Sequence, residues 1–440
     1  MEIGWITISL FGCMLLLLLT GLPIAWILGG LGVLFALFLW GPESLPMATF
    51  GVKAVMGYGS LACIPLFVFM GMMLHQSGII DKFYAAMLNW LGFLPGSLAV
   101  VTIGVCATMA AMVGEVTPAT LTMGTTALPA MLKRKYHKEM AIGCIQAGAA
   151  LGFLIPPSVI AVLYATVARE SIGRFFAGGL IPGIMLATLF IIYIVVRCPL
   201  QPHLAPKVPR EERANWRERF TSLRALLLPV FIVVMVLGSI LFGLATPVEA
   251  SSMGAVASIV AAAISRKLTF QVFKNALTYT LRLTAVATWI FIAALAFGKV
   301  YQALGAPELI QEMLDLAPGG AMGVLIMMQL SYFFLGMILD DTAILFICLP
   351  LYIPLAISLG FDRVWFGVLY LINMQMAFLT PPFGYCLFLM RSVAPKDITM
   401  GDIYRSVWPF VAIQGVALVI CIIFPDIVLW LPSLLFSQAR

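Results

Sequence analysis

Charge is what this sequence has least of. Of its 440 residues, 25 are Lys or Arg and 19 are Asp or Glu, 10% in all, against roughly a quarter in soluble domains. So few charges cannot solvate the surface of a fold this size, which excludes a water-soluble enzyme, a nucleic-acid-binding protein and a disordered chain. Histidine is scarcer still: His75, His137 and His203 sit near helix ends or in loops, without the spacing of a metal site or a catalytic triad. The eight cysteines show no CxxC spacing, and Cys13, Cys63, Cys106, Cys144, Cys348, Cys386 and Cys421 lie inside apolar stretches. Neither a disulfide framework nor a zinc site is indicated, so they pack as small hydrophobes. Long polar stretches are also missing. A bilayer crossing takes about 20 residues, so the length accommodates roughly a dozen crossings and no sizeable soluble domain.

What is present is apolar: 62% of the residues, with a mean hydropathy of +1.07. Apolar runs fall at 3–21, 24–40, 61–79, 97–132, 139–168, 175–197, 225–245, 248–265, 283–300, 321–358, 364–390 and 404–427. The first lacks a basic start and a small-residue cleavage site, so it reads as a retained span rather than a signal peptide. None shows the alternation of barrel strands, so all are expected to be helical. Two of them, 97–132 and 321–358, carry a polar break in the middle. Each is either two tight spans or a hairpin that enters and leaves on one side.

The basic residues give an orientation. If Lys133, Arg134, Lys135 and Lys138 face the cytoplasm, 19 of the 25 basic residues fall on that side. The other side receives six: Lys53, Arg169, Arg174, Lys299, Arg363 and Arg440. The asymmetry follows the positive-inside rule and places both termini outside. The proline-rich stretch 198–224 becomes a cytoplasmic linker near the midpoint.

Sliding the second half by 225 residues pairs Glu115 with Asp340, Thr117 with Thr342, Pro129 with Pro354, and Pro156-Pro157 with Pro381-Pro382. The amphipathic stretch 81–95 finds a counterpart in 302–318. By the charge count the two hairpins open to opposite sides. The halves therefore read as inverted repeats, the architecture of secondary transporters with a site near the midplane.

The breaks carry the chemistry. GEVTPAT, 114–120, places Thr117 as an N-cap before Pro118 at the first helical position. LDDTA, 339–343, offers Asp341 or Thr342 as the cap. Each tip presents unpaired amides and a positive dipole end, which suit an anion. IPPS, 155–158, and TPPF, 380–383, each delete two amide donors and open the helix, leaving carbonyls free to ligate sodium. Glu115, Asp340 and Asp341 lie at membrane depth, where a charge marks a pathway or a coupling ion. Thr246-Pro247-Val248-Glu249 fits a capping box instead.

Taken together, GLATPVEA (243–250), LGFLIPPS (151–158), FFAGGLIPGIML (175–186), LDDTAILFICLPLYIP (339–354) and FGVLYLINMQMAFLTPPFG (366–384) resemble the large membrane subunit of tripartite ATP-independent periplasmic (TRAP) transporters over nearly the whole chain. The resemblance implies an all-α polytopic membrane protein of the bacterial inner membrane. Its two inverted repeats would hold re-entrant hairpins and broken helices, as in the ion transporter superfamily. It implies sodium-coupled import of a small organic anion, usually a carboxylate, by an elevator motion. It also implies two partners, a small four-span membrane subunit and a periplasmic binding protein, with Na+ as coupling ion, no other cofactor and no nucleic-acid partner.

The transport domain would comprise 97–170 and 321–395. The scaffold would comprise 1–96 with the first arm helix, 171–320 with the linker 198–224 and the second arm helix, and the C-terminal span and tail at 396–440. One sodium would sit on Gly114 and Thr117 with the carbonyls of Gly152, Ile155 and Pro157. A second would sit on Asp340 and Thr342 with Ala377, Thr380 and Phe383. The substrate would lie between the tips, near Glu115, Thr117, Ser158, Asp341, Thr342 and Asn373.

Glu115 and Pro118 depart from the Gly/Ser-rich first tip of many relatives, and Ala377 stands where glycine is common. Glu115 is expected to face the ion and add negative charge to its site. Two other readings are a stand-alone sodium- or proton-coupled carboxylate or oxyanion symporter of related fold and, more remotely, an intramembrane aspartyl protease using Asp340 and Asp341. Adjacent acids on one turn point in different directions, which disfavours the protease.

Overall fold

The computed structural model describes residues 3–206, 214–305, 319–382 and 384–436. Among them every regular element is a helix, as a backbone without water to bond requires. Seven of these helices are long and apolar enough to cross a membrane. Large apolar side chains such as Trp26, Phe38 and Leu244 stand on the outer surface, where lipid rather than water is the fitting solvent.

Both interrupted runs are helical hairpins. Ser97–Val113 and Val116–Lys133 form the first, Gly320–Gly336 and Asp341–Ser358 the second. Each is followed by a helix in two pieces: Lys138–Ala150 with Val159–Ala168, and Arg363–Leu379 with Tyr385–Val393. The helix Thr246 opens carries the expected capping box, with Glu249 Oε2 accepting the Thr246 N–H at 2.8 Å.

The two hairpin units are held together by buried aromatics. Tyr164 stacks on Tyr370 at 6.0 Å, and Tyr370 meets Tyr332 edge-on at 4.9 Å. The phenol of Tyr164 donates to the Arg363 carbonyl at 3.0 Å. All three rings are less than 2% exposed, so this joint is dry and its packing is lost outright if the units separate.

Ile172–Leu200 and Met400–Ile423 pack against the broken helices. Glycine makes the approach possible: a Cβ at Gly143 would run into the Ser406 carbonyl and the Phe410 ring. Met400–Ile423 is also bonded to the second broken helix, where Trp365 Nε1 donates to Cys421 O at 2.8 Å.

Some boundaries moved. The helix expected over 283–300 runs from Phe270 to Ala303. Thr269 caps it by accepting the Val272 N–H at 3.2 Å, and Lys274 and Arg282 stay helical outside the apolar stretch. Phe50–Gly57 and nearly all of Asp426–Phe436 are helices that lie outside the apolar runs. The arm stretch 81–95 folds as Ile79–Leu91, while most of its counterpart 302–318 lies outside the described residues.

Candidate functional site

At the first tip Gly114 ends its helix with φ +67°, a left-handed turn that a side chain disfavours. The bare backbone of Gly114 lies against the Pro157 carbonyl, which a Cβ would strike. Its own carbonyl accepts the Val159 N–H at 3.1 Å. The first tip is thus bonded to the first break. Glu115 follows in extended backbone, φ −147° and ψ 148°, and the second arm starts at Val116. The expected start at Pro118 is corrected by two residues: Glu115 occupies the cap position and Thr117 lies in the first turn. Proline is tolerated there because amides of the first turn have no intrahelical acceptor to lose.

Glu115 is partly buried and doubly bonded. Thr117 Oγ1 donates to its Oε1 at 2.5 Å, and Tyr279 OH donates to its Oε2 at 3.1 Å. The tyrosine comes from the long helix Phe270–Ala303, outside the hairpin unit.

The breaks open as the proline doublets require. Both doublets hold a cis bond between their prolines. Around the first, Ile155 N–H and Leu154 N–H both turn back to the Leu151 carbonyl, at 2.9 and 3.0 Å. Among the described residues nothing donates to the Ile155 or Pro157 carbonyls. Position 152 packs on the first tip, where a Cβ on Gly152 would lie 3.2 Å from the Glu115 carbonyl carbon. Ser158 is buried and its Oγ accepts the Ala161 N–H at 3.4 Å, capping Val159–Ala168. At the second break the Thr380 carbonyl likewise accepts no donor among the described residues, while Thr380 Oγ1 donates to Met376 O at 2.6 Å. Phe383 lies outside the described residues. The breaks meet each other: Phe153 and Phe378, each just before its doublet, pack edge-on at 4.9 Å.

At the second tip the cap is Asp340, which is exposed, and the arm begins at Asp341. This corrects the expectation of Asp341 or Thr342 as cap. Asp341 is buried; its Oδ1 accepts the Thr342 N–H at 2.7 Å and the Thr342 hydroxyl at 3.2 Å. Its carbonyl accepts Tyr370 OH at 2.8 Å. Ala377 lies where Gly336 leaves room, since a Cβ on Gly336 would overlap the Ala377 methyl.

The family model described as "Tripartite ATP-independent periplasmic transporter, DctM component" matches residues 11–427. The chain belongs to this family. It is 27% identical to the C4-dicarboxylate TRAP transporter large permease DctM of Vibrio cholerae, covering 96% of each chain. It is 28% identical to the sialic acid TRAP large permease SiaM of the same organism, covering 98% of this chain and 99% of that one. Among solved structures, it shares a fold with the YdaH transporter of Alcanivorax borkumensis, at TM-score 0.64 and 13% identity over 91% of this chain and 90% of that one. The antimetabolite efflux pump MtrF of Neisseria gonorrhoeae matches at TM-score 0.63 and 15% identity, over 89% and 85%. The chain is therefore a TRAP large permease, a multi-pass inner-membrane protein and not an enzyme.

For this TRAP permease, residues expected around the first ion meet at the first tip: Gly114 lies on the Pro157 carbonyl, Gly152 on the neighbouring Glu115 backbone, and Thr117 in the first turn of the second arm. Those at the second tip and break are joined less directly, through Tyr370 and the Gly336–Ala377 contact. Asn373 Nδ2 donates to Gln329 O at 2.6 Å and Gln329 Oε1 at 3.0 Å inside the second unit, while its buried Oδ1 accepts no donor among the described residues. Two participants were missed. Tyr279 precedes the apolar run read at 283, and Tyr370 is one aromatic among many; nothing local in the sequence marks either as reaching a tip.

Proposed function

We propose that this TRAP large permease imports a small organic anion, a carboxylate, with sodium as coupling ion and by an elevator motion. One observation carries the reading. The Gly114 backbone lies on the Pro157 carbonyl at a break whose Ile155 and Pro157 carbonyls accept no donor among the described residues. Carbonyls of that kind are hard oxygen ligands for a desolvated monovalent cation. Thr117, Gly152, Ile155 and Pro157 would complete the first ion site with Gly114. Asp340, Thr342, Ala377, Thr380 and Phe383 would form the second. The substrate would lie between the tips, toward Glu115, Asp341 and Thr342. Ser158 acts as a helix cap and Asn373 as a clamp on Gln329.

The Phe153–Phe378 contact supports the inverted repeat. The two rings are 225 residues apart, the same shift that aligns the proline doublets, and residues beside a two-fold axis touch their own counterparts. The moving body would take in both hairpins and both broken helices, and also Ile172–Leu200 and Met400–Ile423, because they pack on the broken helices. The long helix Phe270–Ala303 would belong to the fixed body. Both termini would face the periplasm.

The partners would be a small four-span subunit and a periplasmic binding protein. In proteoliposomes holding both membrane subunits, uptake is expected only with an inward sodium gradient and the binding protein present. Uptake by this chain alone would favour the stand-alone symporter instead. The relatives' names include C4-dicarboxylate, sialic acid and 2,3-diketo-L-gulonate, which supports the carboxylate class.

A further inference from the structure

The side of the chain that is poor in positive charge gathers half of it in one place. Arg169, Lys299 and Arg363 line a cavity of about 360 Å3, with Phe50, Tyr58 and Gln302 among its other walls. It lies between the long helix Phe270–Ala303, the second arm of the second hairpin, and the ends of Val159–Ala168 and Arg363–Leu379. Among the described residues no carboxylate lines it.

The local sequence conceals this, because each arginine has an acid beside it, Arg169-Glu170 and Asp362-Arg363. The fold sorts the charges. Glu170 Oε2 and Asp362 Oδ2 both turn to Arg174, at 3.2 and 2.8 Å. Asp362 Oδ1 is also occupied, accepting the Val364 and Trp365 N–H groups at 2.7 and 3.2 Å. Among the described residues, what Arg363 and Lys299 touch is neutral. Arg363 Nη1 reaches the Ala168 carbonyl at 3.4 Å, and Lys299 Nζ stands 5.5 Å from the centre of the Phe50 ring. Arg363 moreover begins a helix, where the macrodipole opposes a cation. Like charges gathered around one cavity raise each other's free energy, and an anion between them adds an attractive term with each cation that offsets their repulsion.

We propose that this cavity binds a small polyvalent anion, a di- or tricarboxylate or a phosphate group. Its size falls in the range of roughly 300–1,000 Å3 typical of small-molecule sites. Arg169 and Arg363 stand on the broken helices and Lys299 on the long helix, so the anion would bridge the two bodies and fasten the arrangement seen here. Only that bridging role rests on the transport reading above.

The test uses the full chain in phosphatidylcholine nanodiscs, titrated with citrate and with inorganic phosphate at constant ionic strength, chloride serving as control. Citrate is expected to bind and to raise the unfolding temperature. Lys299→Gln and Arg363→Gln should each weaken binding about tenfold, as for loss of one charge-assisted hydrogen bond. Lys299→Arg, which keeps the charge, should stay within about threefold of the parent. Stabilisation seen only in phosphatidylglycerol discs, and lost in the same glutamine variants, would support the site with a lipid head group as its source. A triple variant, Arg169→Gln with Lys299→Gln and Arg363→Gln, that answers citrate, phosphate and phosphatidylglycerol as the parent does would overturn the proposal; so would a parent that answers none of them. Transport is not needed for this measurement. A chain that fails sodium-driven uptake yet binds citrate through these three residues sinks the transport reading and keeps the site.

Discussion

Glu115→Gln separates charge from hydrogen bonding at the first tip. The glutamine carbonyl can still accept from Tyr279 or Thr117, whereas the negative charge is gone. A unit charge about 6 Å from a sodium ion contributes roughly 3 kcal/mol at an effective dielectric near 20. Glu115 is only partly buried, and screening at such positions cuts the effect to about half, roughly 1.4 kcal/mol or tenfold in affinity. The sodium concentration for half-maximal uptake should therefore rise about tenfold, with the rate at saturating sodium changed far less.

Tyr279→Phe is the matched control, because it removes the 3.1 Å bond to the same carboxylate and leaves the charge. It should hold the sodium dependence within about twofold and change the maximal rate, since under the proposed elevator motion that bond would tie the tip to a helix of the other body. A hydrogen bond to a charged group is worth about 1.5–3 kcal/mol, enough to shift the balance of end positions tenfold or more. The assay is uptake into proteoliposomes at clamped membrane potential, with choline replacing sodium. A Glu115→Gln variant with unchanged sodium dependence would refute the ion-facing carboxylate. An equal shift in Tyr279→Phe would move the tyrosine from the joint into the ion site.

Three further outcomes follow from the packing. Gly336→Ala should lower the unfolding temperature through its overlap with the Ala377 methyl, at a cost of about 1–3 kcal/mol for overpacking. Ala377→Gly in the same chain should restore most of the loss, and failure of that rescue in a thermal melt would contradict the contact. Gly114→Ala meets both a left-handed φ, about 1–2 kcal/mol for an L side chain, and the Pro157 carbonyl; uptake should fall at least tenfold, and near-parental uptake would count against the tip–break contact. Thr246→Ala removes the helix cap that accepts the Glu249 N–H at 3.3 Å, and should cost about 1 kcal/mol of stability while leaving the sodium dependence of uptake where it was.

How much of the site was legible depends on how local its causes are. The breaks were readable because a proline doublet removes two donors wherever it stands, and the structure opens at both. The tips were readable to within two residues. Thr117-Pro118 has the form of a cap and first residue, yet Glu115 takes the cap position because Gly114 has already turned the chain against Pro157. Ser158 and Asn373 are polar residues near the breaks that looked available to a ligand. In the structure Ser158 Oγ also caps Val159–Ala168 and Asn373 Nδ2 also bonds Gln329. Composition could not separate these uses, since both put a polar side chain in an apolar run.

By itself the sequence determined that the chain is a helical membrane protein, where its helices break, and which few acids lie near the breaks. Those properties follow from transfer free energy and from backbone chemistry within one turn. The tertiary structure decided which groups meet: Gly114 with Pro157, Glu115 with Tyr279, Phe153 with Phe378. It also decided that Glu170 and Asp362 would turn to Arg174 and leave Arg169, Lys299 and Arg363 around one cavity. Residues from 43 to 225 positions apart in the three meeting pairs are joined by helix register and packing, and a short-range pattern holds no record of either.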